Sequence, residues 1–288
     1  MIDILVLNYN DARTTVDFVE SVKNYVCVRH ILVVDNHSTD SSLSVLKKME
    51  NDKVLVVDSG KNGGYGAGNN FGIHYLCEKF HSDYILLSNP DVIVEEKVLV
   101  GLEEFLENNK DYAVVAPFML DTSGRKQANT AFRIPSKWEY IISINFLFRK
   151  FTDSFYYKNI VSESQKIMNV GSVTGSMFLM RTEDMLKYGM YDENIFLYCE
   201  EIVLGLKMQY ALKKIALLTD HTFVHNHSVS ISKTYKSLVA KRRLFMNSKL
   251  YVIRHYYHAN VFEYFVAFFL SKLSIVEIYL IGLLRRLK

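Results

Sequence analysis

Asp91 is the residue best placed to do chemistry. It closes the run Tyr84-Ile85-Leu86-Leu87-Ser88-Asn89-Pro90-Asp91. Tyr84–Leu87 is apolar and β-prone, as a strand buried on both faces of a parallel sheet must be. Pro90 has no amide hydrogen and holds Asn89 out of helical geometry, so the ladder ends there. Asp91 then stands at the carboxyl end of a central strand, where open α/β sheets bind ligands. An acceptor-only carboxylate at that edge suits a hard divalent cation, and such a cation suits a diphosphate. The competing role is a cap for the helix expected over Glu95–Asn109.

Two more clusters have a chemical reading. Asp35 directly follows Val33-Val34, so its carboxylate can accept a hydrogen bond from a base imide or a ribose hydroxyl. An Asx turn or helix cap is the alternative, and Asp40 fits that role better. The stretch Asn62-Gly63-Gly64-Tyr65-Gly66-Ala67-Gly68-Asn69-Asn70 lets backbone approach a phosphate and presents amides at a helix start. It is not a P-loop, because Asn69-Asn70 stand where Lys-Ser/Thr would, and no G-x-G-x-x-G runs through it. A flexible turn is the alternative.

Such residues need elements that bring strand ends to one edge. Apolar strands are expected at Ile2–Leu7, His30–Val34, Lys53–Val57, Tyr84–Leu87 and Ala113–Ala116. Helices alternate with them over Ala12–Tyr25, Ser41–Met49, the segment from the glycine stretch through Lys79, and Glu95–Asn109. This alternation predicts an α/β, doubly wound parallel sheet, with Asn8, Asp35, Asn62 and Asn89 at its carboxyl edge. Beyond Ala116 it lapses. Pro117–Pro135 carries Gly124 as a turn between hairpin strands. Lys137–Gln165 is aromatic-rich (Trp138, Tyr140, Phe146, Phe148, Phe151, Phe155, Tyr156, Tyr157) and is read as a packing insertion ahead of an acceptor-side lid or a membrane-facing helix. A strand over Val170–Met180, a helix over Glu183–Tyr188 and a late strand over Ala216–Thr219 follow.

With 288 residues, 49% hydrophobic and 23% charged, the chain is globular and long enough for one large domain with an appendage. Cys27, Cys77 and Cys199 are scattered without zinc spacing, which points to reduced thiols in the cytosol. Met1-Ile2-Asp3-Ile4 lacks the basic start of a signal peptide. The net charge hides an asymmetry. Lys233–Lys288 holds 11 Lys/Arg against 2 Asp/Glu, a net of +9, while the remainder has 23 basic against 29 acidic, a net of −6. A basic tail on an acidic body predicts an anionic partner for the tail.

Leu7-Asn8-Tyr9-Asn10, Val33-Val34-Asp35-Asn36-His37-Ser38-Thr39-Asp40, the glycine/asparagine stretch and Ser88-Asn89-Pro90-Asp91 occur in that order. Together they resemble family 2 of the glycosyltransferases over about residues 1–250, and the Asn89-Pro90-Asp91 form of the DxD motif is similar to its rhamnosyl and galactofuranosyl branches. The resemblance implies the GT-A nucleotide-diphospho-sugar transferase fold, a Rossmann-like mixed sheet. It implies that Asp35 contacts the nucleoside and that Asp91 holds Mg²⁺ or Mn²⁺ against the donor diphosphate. Asn8, Tyr9, Asn10, Ser38, Asn62, Gly64, Asn69 and Asn89 complete the expected donor site. Gly189-Met190-Tyr191-Asp192-Glu193 resembles the family's Gly-Gly-Phe-Asp-Glu turn, and Cys199-Glu200-Glu201 falls at its Glu-Asp motif. Glu201 then aligns with the general base and Glu200 with its partner, although Glu201 is one methylene longer than the usual Asp and Val203 replaces a further acid. A solvated acidic helix start is the alternative for this pair. The family's His falls on His225 as a partner of the cation or diphosphate, with His227 competing; Lys233 and Lys236 would neutralise phosphate.

The expected domains are 1–235, with a nucleotide-binding half over 1–116 and an acceptor half over 117–235, and a basic, apolar helical region over 236–288. Ser237–His258 and Val261–Leu284 make up that region; its longest uncharged run, Tyr264–Ser271, is far short of the roughly 18 residues a membrane span requires. Apolar residues beside basic clusters fit peripheral contact with an anionic membrane surface, ahead of a helical hairpin in a homodimer interface. The expected activity is inverting transfer from a dTDP- or UDP-linked sugar to a glycan or lipid-linked acceptor. It would serve bacterial surface polysaccharide synthesis in the cytoplasm, on the inner face of the membrane, with no nucleic-acid partner. A non-catalytic nucleotide-sugar-binding subunit and a nucleotidyltransferase are the alternatives.

Overall fold

The computed structural model describes residues 1–145, 155–157, 166–226 and 237–286. His227, Lys233, Lys236, Phe146, Phe148, Phe151 and the boundary placed at 235 lie outside them.

The amino-terminal half alternates as expected: β1 (Ile2–Asn8), α1 (Ala12–Val22), β2 (Val28–Asp35), α2 (Ser42–Leu46), β3 (Val54–Asp58), α3 (Gly64–Phe80) and β4 (Tyr84–Ser88). Strands β3, β2, β1 and β4 lie side by side and parallel. Their continuous apolar runs arise because both faces are covered. Ile4 and Val6 of β1 pack with Phe18 and Val19 of α1, while Leu5 packs with Ile73 and Leu76 of α3. Successive side chains point to opposite faces, so one strand feeds two cores.

The glycines of α3 serve that packing. Gly68 and Gly72 sit one turn apart, and a Cβ at Gly68 would lie 2.5 Å from Leu7 Cδ1. A Cβ at Gly72 would collide with Leu5. The helix therefore lies directly on the sheet because these two positions have no side chain.

Beyond β4 the sheet is mixed rather than a continued parallel winding. The order runs on through β10 (Met177–Arg181), β6 (Tyr112–Leu120), β11 (Lys214–His225) and β5 (Val92–Ile93). The expected neighbour of β4, the strand at 113–116, is displaced by β10, which pairs antiparallel with both β4 and β6. The strand expected over Val170–Met180 is three pieces, β8 (Ile167–Val170), β9 (Ser172–Val173) and β10. Gly171 separates the first two, because a Cβ there would meet Ile134 N at 2.5 Å. β9 leaves the sheet to pair with β7 (Ala131–Phe132). Glu183–Tyr188 is a short helical turn, Thr182–Asp184, continued by a wider turn over Met185–Gly189. α4 (Glu96–Asn108) covers the sheet, and Asp121–Lys126 turns tightly at Gly124, where φ is +78°.

β11 is far longer than the strand expected over Ala216–Thr219. It runs parallel to β6 with a register shift, Leu218 facing Pro117 but Thr222 facing Phe118. Pro117 has no N–H to give to the ladder, and the extra residues Thr219–His221 bulge out there. Past the bulge the strand reaches the carboxyl edge.

The carboxy-terminal helices, α7 (Leu238–His255) and α8 (Val261–Arg286), pack with α5 (Lys137–Ile142) around a third core. That core contains Tyr140, Ile144, Ile195, Cys199, Val203 and Ile253. Asn260 and Glu263 cap α8 reciprocally, N–H to side chain, at 2.8 and 2.9 Å. Lys137 Nζ closes on Glu263 at 2.8 Å and ties α8 to α5. Of the aromatic insertion, Tyr140 and Phe155 are buried while Trp138 and Tyr156 are exposed.

Gly72→Val should lift α3 from β1 and lower stability by about 1–3 kcal/mol, the usual cost of overpacking. Urea unfolding measures it; an unchanged midpoint would show that α3 does not rest on Leu5.

Candidate active site

Asp91 follows β4 and precedes β5, and α4 begins only at Glu96 with Glu95 as its cap. The capping role for Asp91 is thereby excluded. Pairing of β5 with the end of β11 sets Val92 opposite His225, and the Asn226 amide donates to the Asp91 carbonyl at 2.9 Å. The result is a contact of 3.1 Å between His225 Nε2 and Asp91 Oδ1, both side chains more than nine-tenths buried.

These two groups fit a divalent cation. Bonds of about 2.1 Å at right angles separate adjacent donors by roughly 3 Å, and the observed 3.1 Å matches this spacing. A carboxylate and an imidazole are also donors that Mg²⁺ or Mn²⁺ accepts. Two protein ligands suffice where waters and substrate phosphates complete the shell.

At the ends of β1 and β2 the polar residues bind one another. Asn8 Nδ2 donates to Asp35 Oδ1 at 2.7 Å, the Ser38 amide donates to Asp35 Oδ2 at 2.8 Å, and Ser38 Oγ donates to Asp35 Oδ1 at 2.7 Å. Thr15 Oγ1 donates to Asn8 Oδ1 at 2.8 Å, and the Asn10 amide donates to Ser38 Oγ at 2.9 Å. Asp35 is wholly buried, and its bonds to Ser38 fix the loop over Asn36–Thr39. Tyr9, Asn10 and Ser38 remain partly exposed above it.

The glycine stretch is tied to its surroundings. The Gly64 amide donates to Asn62 Oδ1 at 3.1 Å and the Tyr65 amide to the Phe196 carbonyl at 3.0 Å. Gly64 has φ +90°, and a Cβ there would strike Phe196. Asn69 is buried, donating to the Tyr65 carbonyl at 3.0 Å. The stretch thus holds the loop that leads into Glu200.

That loop is strained. Tyr198 and Cys199 have φ of +75° and +73°, left-handed values that non-glycine residues adopt rarely and at a cost of about 1–3 kcal/mol each. They launch α6 (Glu200–Tyr210) with Glu200 and Glu201 in its first turn. The Gly175 amide donates to Glu201 Oε1 at 3.3 Å. Ser176, next in chain, accepts the Asn89 amide on its carbonyl at 2.7 Å. One dipeptide thereby joins the Asp91 loop to Glu201. Gly175 is closely approached: a Cβ would stand 3.1 Å from Tyr65 Oη and 3.2 Å from Glu201 Oε1. Tyr65 Oη itself donates to the Gly175 carbonyl at 2.7 Å.

Burial, with the charge of Glu201 behind it, pushes the Glu200 carboxyl up to about 8, while the amides of Glu200 and Tyr198 pull the other way. Burial raises Glu201 as well, opposed by its own amide and that of Gly175. Glu200 Oε1 is buried with no hydrogen-bond partner among the described residues. The charge of Glu201 is among the causes that raise Glu200, so of the pair Glu200 is the one that keeps its proton. A solvated helix start, the alternative for this pair, does not describe them.

Gly175 and Ser176 fall in the glycine-containing strand that the family resemblance sets beside the acceptor. Tyr65, Tyr198 and Cys199 had no role assigned from sequence, and the two left-handed residues have no sequence signal.

Known proteins resemble this chain in family and in fold. Residues 3–185 match the family described as "Glycosyl transferase family 2". The chain is 25% identical over 205 residues to the low-salt glycan biosynthesis hexosyltransferase Agl10 of Haloferax volcanii, a match over 70% of this chain and 59% of that protein. It is 24% identical over 212 residues to the rhamnosyltransferase WbbL of Escherichia coli, over 68% of this chain and 77% of that one. Among solved structures, S. aureus TarS superposes with TM-score 0.55 at 15% identity, over 88% of this chain and 40% of that one. GalNAc-T7 with UDP, GalNAc and Mn²⁺ superposes with TM-score 0.62 at 13% identity, over 90% and 50%. These neighbours are GT-A glycosyltransferases, and the fold is theirs.

The folded state retains the Glu200 proton up to about 8, whereas the unfolded chain releases it near the ordinary 4.5. The folded form binds more protons across that window, so stability falls as pH rises through it. Glu200→Gln should remove this decline, its advantage in Tm over wild type growing from about pH 5 to about pH 9. Parallel Tm–pH curves would show that Glu200 is not held as a buried acid.

Proposed function

The chain belongs to glycosyl transferase family 2, and from that membership we propose that it transfers a sugar from a nucleoside-diphosphate donor to a hydroxyl acceptor with inversion. The observation that carries this reading is the pairing of Asp91 with His225 at the carboxyl edge, joined through Gly175-Ser176 to the carboxylate of Glu201. Asp91 and His225 would hold Mg²⁺ or Mn²⁺, which when bound offsets the charge that gathers on the departing diphosphate. Tyr9, Asn10 and Ser38 line the approach for the nucleoside. Glu201 accepts the acceptor's hydroxyl proton as the oxygen attacks the anomeric carbon. The bond from that carbon to the diphosphate oxygen breaks, and its electron pair leaves with the nucleoside diphosphate. Base and leaving group on opposite sides of the sugar give inversion.

The family resemblance favours a hexose or deoxyhexose linked to UDP or dTDP, and a glycan or lipid-linked acceptor. A binding subunit without turnover is the second reading, and Val203 favours it, because this residue fills the core where the family often has an acid.

Glu201→Gln should lower kcat by about 10²–10⁴-fold, the usual contribution of a general base, with donor binding retained. Asp91→Asn should instead weaken Mn²⁺-dependent binding of the nucleoside diphosphate, read by titration calorimetry. Wild-type protein that binds donor but neither hydrolyses nor transfers it would establish the binding subunit. Glu200→Gln as the sole inactive variant would move the base by one residue.

A further inference from the structure

Helix α8 carries an unpartnered ridge. Phe262, Phe265, Phe268, Phe269, Val276 and Tyr279 are all more than two-fifths exposed, Phe265 at 64%. Phe262, Phe265, Phe269, Val276 and Tyr279 follow one another at three, four, seven and three residues, with Phe268 beside them, so they form one stripe along the helix. The opposite side is occupied: Ala267, Ser271 and Ser274 are buried against the protein, and Ser274 Oγ accepts from Arg242 Nε at 2.6 Å. A stripe this long on a soluble surface marks a contact site.

Charge selects the occupant. The segment from Lys233 onward has 11 basic residues and 2 acidic ones, a net positive sequence. Glu263 is closed by Lys137 and the Asn260 amide, and Glu277 is half-buried beside Arg242. Arg243, Arg254 and Lys272 are exposed, with Lys272 Nζ 4.6 Å from the ring of Phe268, in the ridge itself. A second copy would bring the same surface against itself across a two-fold axis, cation facing cation. An anionic bilayer complements both features, taking the phenylalanines between its headgroups and the cations at its surface.

We propose that the α8 ridge docks the protein flat on an anionic lipid bilayer. Among the described residues no helix is long and apolar enough to cross a membrane. The helix therefore lies in the plane of the surface. The docking also orients the active site. Asp192 Oδ2 accepts from Tyr251 Oη at 3.0 Å and Tyr256 Oη at 2.9 Å, and Ser248 Oγ donates to the Leu197 carbonyl at 2.7 Å. Helix α7, packed on α8, thus grips the loop that precedes Glu200 and Glu201. An acceptor carried by the same bilayer would meet a cleft held at fixed height; that last step rests on the glycosyltransferase reading, whereas the docking does not.

Co-sedimentation with vesicles of phosphatidylcholine, with and without phosphatidylglycerol, tests the docking without reference to sugar transfer. Wild-type protein should bind the phosphatidylglycerol vesicles, bind pure phosphatidylcholine at least tenfold more weakly, and dissociate at high salt. Phe265→Glu with Phe269→Glu should reduce binding at least tenfold while circular dichroism and Mn²⁺-dependent donor binding stay as in wild type. Arg243→Glu with Lys272→Glu should weaken binding to the anionic vesicles alone. Equal binding by wild type and the phenylalanine variant, or no binding by wild type, overturns the proposal. So does a wild-type dimer in light scattering that the phenylalanine variant dissolves, since the ridge would then belong to a second copy.

Discussion

The Asp91 loop and the Glu201 carboxylate come from distant parts of the chain, and Gly175-Ser176 is where they are brought into register. The carbonyl of Ser176 holds the Asn89 amide, and the amide of Gly175 holds Glu201. Backbone groups make both contacts, so the alignment survives changes of side chain but not of chain path. The antiparallel insertion of β10 between β4 and β6 places the dipeptide there. A sheet wound parallel throughout would leave the Asp91 loop and Glu201 unconnected.

The cleft concentrates costs that the rest of the molecule offsets. Two adjacent carboxyls are taken out of water, two left-handed residues precede them, and an aspartate is held wholly buried beneath the donor edge. Each would be unstable alone. The third core, where Tyr140, Val203 and Ile253 close around Cys199, supplies the packing that holds the strained turn. The carboxy-terminal helices therefore support the active-site loop as well as presenting a surface.

The amino-terminal half was legible because its signals are local. Continuous apolar runs, helical spacing and Pro90 placed β1 through β4 to within a few residues, and put Asp91 at a strand end. His225 was reached by resemblance, and the structure sets it against Asp91. What could not be read depends on contacts between distant segments. Nothing in Met177–Arg181 announces that it divides β4 from β6. The packing role of the glycines depends on Leu5, Leu7 and Phe196, which lie elsewhere in the chain. The bond from Asn8 to Asp35 likewise joins two strands that only the fold brings together.

The bulge at Thr219–His221 sets a phase. Side chains on a strand alternate between faces, so the number of residues looped out there decides which one arrives opposite Val92 on the side of Asp91. Losing or gaining a single residue would turn His225 away and offer Val224 or Asn226 instead, with every other strand left in place. His221 lodges against Gly101, where a Cβ would collide with its ring, and so pins the count from outside the cleft. The contact between His225 and Asp91 is thus set by the length of a segment that touches neither residue.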